Sequence, residues 1–118
     1  MERYIEYVID DIGCPKHLKG YNALYECVRY QFENRGARIC ETYSAVAEKL
    51  GHTYGQVERN VRHLIQWLLI NGDMDKIHNY FGASLPNNMK LTNAQFIITL
   101  AVAAYRTKRG EENVNNGR

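Results

Sequence analysis

From Tyr4 to Tyr105 apolar residues recur at three- and four-residue spacing in six segments, and every interval between segments holds glycine or proline. That pattern points to a helical fold, because a half-buried strand alternates with period two and no convincing stretch here does. Tyr4, Ile5, Val8, Ile9 and Ile12 line one face of a first helix, which Gly13 and Pro15 end as a left-handed cap followed by a breaker. Tyr21, Leu24, Tyr25, Val28 and Phe32 make a second face, closed by Gly36. A short third face of Tyr43, Val46, Ala47 and Leu50 has Thr42 as its expected N-cap and Gly51 after it. Thr53 and Gln56 stand at capping-box spacing ahead of Val57, Val61, Leu64, Ile65 and Leu68, and Gly72 stops this fourth, longest helix, 54–71. Met74, Ile77 and Phe81 mark a fifth helix ended by Gly82. A looser stretch, Ala83 to Leu91, leads to a second capping box at Thr92 and Gln95. The sixth helix, Phe96 to Tyr105, is apolar almost all round and is expected at the buried centre of a bundle. The fold class expected is all-α, a six-helix bundle.

At 118 residues the chain is long enough to bury a core without metal or disulfide staples. Residues 1–109 are expected to form one domain, and the tail GEENVNNGR, 110–118, carries too little apolar content to fold and is expected to be disordered. The longest apolar stretches fall short of the roughly 20 residues that span a bilayer, and MERYIEYVIDDIG carries acids within its apolar pattern, unlike a signal peptide. Cys14, Cys27 and Cys40 cannot all pair within the chain and are read as reduced thiols of a cytoplasmic protein. A net charge of +2 permits contact with a polyanion without demanding it. The position of the charges must therefore carry any case for nucleic acid.

The stretch from about Thr42 to Leu69 has the layout of a helix-turn-helix. Ala47 is small where the second helix crosses the first, Gly51 follows four residues later where positive φ is required, and Val57 comes six after that to fill the angle. Asn60 stands where such motifs more often carry an apolar residue. On the fourth helix Gln56, Arg59, Arg62, His63 and Gln66 point away from the apolar stripe, with Glu58 and Asn60 at the flanks. Arginine can bond guanine O6 and N7 together, glutamine or asparagine can pair with adenine, and glutamate can accept from cytosine N4. The arc Gln56, Glu58, Arg59, Arg62, His63 and Gln66 is thus the candidate DNA-binding site, on a helix of a length that enters a major groove.

The sequence also resembles a known family, the C-terminal DNA-binding effector domain of the response regulator that initiates sporulation in endospore-forming bacteria. Ile12, Gly13, Pro15, His17, Lys19, Gly20 and Tyr21 carry the resemblance, as do Val57, Glu58, Arg59, Arg62 and His63. Phe81-Gly82 and Lys90, Thr92, Asn93, Phe96 and Ile97 extend it, so that it covers roughly Ile5 to Tyr105. The resemblance implies a six-helix domain whose fourth helix enters the major groove of a short box resembling TGTCGAA, read through Glu58, Arg59, Arg62 and His63. It also implies tandem pairing on neighbouring boxes and contact with a sigma subunit of RNA polymerase near the helices after the recognition helix. Gly55 and Gln56 depart from the serine and arginine common in the family, so one contact is expected to be altered. Nothing upstream of Tyr4 supplies the acidic pocket of a phosphorylatable receiver domain. The chain is expected as either an excised fragment or a stand-alone relative without phosphorylation control, and its methionine start favours the second.

Other chemistries find less support. Cys14, His17, Cys27, Cys40, His52, His63 and His78 lack the paired CxxC or HxxxH spacing usual in structural zinc sites, so no metal and no cofactor are expected. Asp10-Asp11 and Glu111-Glu112 are adjacent pairs whose side chains diverge, and no glycine-rich phosphate loop occurs, so no enzyme is expected. Tyr4, Tyr21, Tyr25 and Tyr43 lie on apolar stripes and read as core, leaving Tyr54 as the aromatic to watch beside the recognition face. The rival function is a protein-interaction module that keeps the fold without DNA binding, which the weak net charge and Gln56 favour and Arg59, Arg62 and His63 oppose.

Overall fold

The computed structural model describes residues 2–82 and 92–116, with the backbone alone from residue 112 onward. The expected loose stretch, 83–91, lies outside the described residues. Among the described residues six helices follow one another: α1 (Arg3–Asp11), α2 (Tyr21–Glu33), α3 (Ile39–Leu50), α4 (Tyr54–Asn71), α5 (Met74–Phe81) and α6 (Asn93–Asn116). Among the described residues there is no strand. The all-α class is as the periodicity dictates.

Each helix buries the face its spacing defines. Ile5, Val8 and Ile9 of α1, and Tyr21, Leu24, Tyr25 and Val28 of α2, are buried in one cluster with Val46 and Ala47 of α3. Phe96, Ile97, Leu100, Ala101 and Ala104 place α6 at the centre, packed on α1, α2, α4 and α5. One strip of α6 escapes this burial: Ile98 and Val102 are exposed, so the helix is not enclosed all round. The thiols of Cys14 and Cys27 are buried, which pushes each up to about 12, whereas Cys40 is exposed.

Two expectations need correction. Thr42 is not the N-cap of α3, which begins three residues earlier after Arg38. Its hydroxyl is buried instead, donating to Arg38 O at 3.1 Å and accepting from Gln31 Nε2 at 2.8 Å. A buried hydroxyl keeps its place only with such partners, and the partner comes from α2. The sixth helix starts at Asn93, directly after its capping box, and runs to Asn116 rather than stopping at Tyr105. Helical backbone thus occupies most of the tail expected to lack structure. Arg3 of α1 pairs with Glu111, tying this extension to the bundle.

The ends of the helices are cross-tied. The Asp73 N–H donates to Ile12 O at 2.9 Å, joining the end of α1 to the junction between α4 and α5. Tyr80 of α5 donates to Asp11 Oδ2 at 2.7 Å, and Lys76 lies 3.7 Å from the same carboxylate. At the other flank of α4, Gly20 sits at φ 96° with the backbone carbonyl of Asn60 against it. A Cβ there would stand 2.7 Å from that oxygen, closer than real contacts permit. Only glycine lets the start of α2 approach α4 so closely.

Gly20→Ala should therefore destabilise the domain by at least about 1 kcal/mol, through both strained φ and the clash with Asn60. Urea unfolding followed by circular dichroism checks this, and an unchanged midpoint would contradict the packing. A thiol reagent at neutral pH should modify Cys40 rapidly and reach Cys14 and Cys27 only on unfolding, because burial denies them thiolate character.

Candidate nucleic-acid interface

Only Gly51, His52 and Thr53 separate α3 from α4. Gly51 takes φ 68° at the end of α3, its N–H reaching Glu48 O at 3.3 Å while the His52 N–H reaches Ala47 O at 2.9 Å. This pair of bonds closes the last turn of α3 and reverses the chain at once. Thr53 then opens α4 with a complete capping box. Its hydroxyl accepts from the Gln56 N–H at 3.1 Å, and Gln56 Oε1 accepts from the Thr53 N–H at 2.8 Å. Val57, directly after, is fully buried, and so is Val61 one turn on; Ala47 of α3 is buried too.

The burial of Val57, Val61, Leu64, Ile65 and Leu68 turns the opposite face of α4 outward. Arg59, His63 and Gln66 are exposed on it, as the sequence implied. Among the described residues no hydrogen bond or ion pair engages any of the three. Gln56 is exposed as well, but its amide oxygen is committed to the capping box, so the paired bond of glutamine to adenine is closed to it while the cap stands. Glu58 and Arg62 are half-buried and bound to each other, Arg62 Nη1 donating to both Glu58 oxygens at 2.8 and 2.7 Å. Asn60 is half-buried at the opposite flank, against Gly20.

The six residues therefore divide by availability. Arg59 is the cation free to meet an incoming acceptor, whereas Arg62 brings a carboxylate with it. At about 100° per residue, Tyr54, Glu58 and Arg62 share a ridge at one edge of this face. The Tyr54 ring is 44% exposed, the single aromatic offered near the helix start, and it meets buried Tyr43 edge-on with centroids 5.4 Å apart. Asn93, at the start of α6, approaches the Tyr43 hydroxyl without completing a hydrogen bond. Burial pushes the Tyr43 phenol up to about 12, so it stays neutral. Lys19, next to Gly20, is exposed, and among the described residues it has no carboxylate partner. The Gly20–Asn60 approach brings it to the flank of α4, a cation that α4 considered alone does not reveal.

Residues 5–103 of the chain match the family model described as sporulation initiation factor Spo0A, C terminal. The chain belongs to this family. Spo0A C-terminal domains are the DNA-binding effector domains of a sporulation transcription factor, and the family is regulatory rather than enzymatic. The match begins within α1, takes in all of α2, α3, α4 and α5, and ends within the first half of α6. Among the described residues no three His, Cys, Asp or Glu side chains converge as metal ligands, and no helix is long and apolar enough to cross a membrane.

Thr53→Ala removes the hydroxyl half of the capping box and should lower stability by about 1 kcal/mol. Amide exchange by NMR should show the first turn of α4 fraying before the rest. Equal protection of that turn in the variant would mean that the cap does not hold the helix start.

Proposed function

We propose that this member of the Spo0A C-terminal family is a cytoplasmic, sequence-specific regulator of transcription that reads double-stranded DNA with α4 in the major groove. In this proposal α3 and α4 act as a helix-turn-helix, α3 lying over the backbone while the outer face of α4 meets base edges. The observation that carries it is the unengaged, exposed Arg59 at the middle of the face opposite the buried stripe. Its guanidinium can bond guanine O6 and N7 without first giving up a protein partner. Arg62 must either leave Glu58 or meet DNA as a pair with it, Glu58 then accepting from cytosine N4. His63 and Gln66 extend the same face along the groove, and Gln56 contributes through the cap rather than by reading adenine. The target is a box resembling TGTCGAA, with neighbouring boxes filled in tandem and a sigma subunit of RNA polymerase docking near the helices after α4, as the resemblance implies.

Arg59→Ala should weaken binding to a TGTCGAA duplex by about 1–3 kcal/mol and relax preference at one base pair, with the melting temperature unaltered. Arg62→Ala should weaken binding on cognate and scrambled duplexes alike and lower the salt slope by about one unit if that side chain holds phosphate. Because Arg62→Ala leaves the Glu58 carboxylate bare on the same face, Glu58→Gln/Arg62→Ala should recover part of the loss. Gel shifts over a salt series measure all of these. Wild-type affinity in every variant, or no preference of the unaltered chain for the box over a scrambled duplex, would leave the interaction module without DNA binding as the better account.

A further inference from the structure

Away from α4 the surface holds a second set of uncommitted groups. Among the described residues five large apolar side chains are exposed, Tyr7, Tyr54, Ile70, Ile98 and Val102, and only the last two stand one turn apart on one helix. They belong to a strip of α6 that continues through Arg106 and Arg109, both exposed. Grooves flank the strip on both sides. One is bounded by Phe32, Arg35 and Tyr105, the other by Tyr80 of α5. Arg35 lies over the Tyr105 ring at 4.1 Å, which holds a third guanidinium at the rim.

The charges here are conspicuous for what they lack. Arg3, Lys16, Arg29, Lys49, Arg62 and Lys76 each have a carboxylate within 4.0 Å. Among the described residues Arg35, Arg106 and Arg109 have none, nor does Lys108 on the same helix as the last two, and the other unpaired cations, Lys19, Arg38 and Arg59, lie on other elements. Three unneutralised arginines around an exposed aliphatic pair suit a ligand that carries both carboxylates and an apolar stripe. Phosphate backbone suits the arginines but not Ile98 and Val102, which would be covered by nothing apolar. The site is also distinct from the DNA face: α6 begins beside Tyr43, and Arg106 is about 20 Å further along the helix at 1.5 Å per residue.

We propose that this strip of α6, with the grooves beside it, docks an acidic amphipathic helix of a partner protein. Leucine-like side chains one turn apart cover Ile98 and Val102, while Asp or Glu at the edges meet Arg35, Arg106 and Arg109. Apolar contact gives the complex its residence and the arginines give it orientation and rate. Because the strip lies apart from α4, the docked helix and DNA bind together.

The test uses the whole chain and a synthetic amphipathic peptide of about 18 residues, leucine along one stripe and glutamate on both sides of it. Amide shifts in NMR titration should centre on Ile98 to Arg109 and Arg35. Both Arg106→Glu/Arg109→Glu and Ile98→Ser/Val102→Ser should weaken the peptide about tenfold or more, with thermal melts unchanged. The same peptide with glutamine for glutamate should bind correspondingly weakly. Undiminished binding by the serine pair would reduce the site to charge alone and overturn the proposal. So would peptide shifts centred on the outer face of α4, or a non-specific duplex perturbing α6 where the peptide does not. Self-association of the chain that is abolished by Arg106→Glu/Arg109→Glu would assign the strip to a second copy instead, and the proposal would fall.

Discussion

Val57, Val61, Leu64, Ile65 and Leu68 lie buried along one side of α4, and that burial decides what the other side can do. Removing such side chains from water contributes on the order of 1.5–3 kcal/mol each, far more than any polar contact on the outer face. The helix therefore cannot roll to offer a different set of residues. Gly20 against the Asn60 carbonyl sets one flank, and the Ile12–Asp73 bond sets the far end. α6 supplies the common floor, touching α1, α2, α4 and α5. The outer face of α4 is thus a rigid display, and the rest of the bundle is what makes it rigid.

Electrostatics then sorts the displayed residues. A net charge of +2 says little, because many cations are already matched to carboxylates on the same surface while others are not. Exposed pairs of this kind contribute little stability and are screened by salt. What matters is which cations remain unmatched and whether they share a face. Arg59 is unmatched on α4, with Lys19 at its flank; Arg106 and Arg109 are unmatched on α6. Arg62 is intermediate, since its attraction for an anion competes with Glu58 on the adjacent turn.

Local signals in the sequence proved readable wherever one residue type had one physical reason to be there. The capping box at Thr53 and Gln56 set the start of α4 to the residue, and Gly51, needed at positive φ, set the end of α3. The faces of α4 and α5 followed from spacing alone. Thr42 misled because a threonine before an apolar run resembles a cap, and only tertiary packing brings Gln31 to satisfy its hydroxyl inside the helix. The length of α6 misled because propensity and apolar content fade after Tyr105, while the Arg3–Glu111 pair that meets the extension comes from the opposite end of the chain. Within the candidate site, the outward direction of Arg59, His63 and Gln66 was legible, but the Glu58–Arg62 bond was one of several pairings that helical spacing allows. The approach of Lys19 to α4 depends on how α2 docks, which no periodicity within a single helix encodes.

The central claim is that Arg59 meets the major-groove edge of a guanine. Replacing each guanine of a TGTCGAA duplex in turn by 7-deazaguanine removes the N7 acceptor while leaving base pairing and the minor groove intact. The account predicts that one such replacement weakens binding of the unaltered chain by about 1–3 kcal/mol and has no further effect on Arg59→Ala. Equal affinity for every deaza duplex would contradict it, as would a loss that persists undiminished in Arg59→Ala.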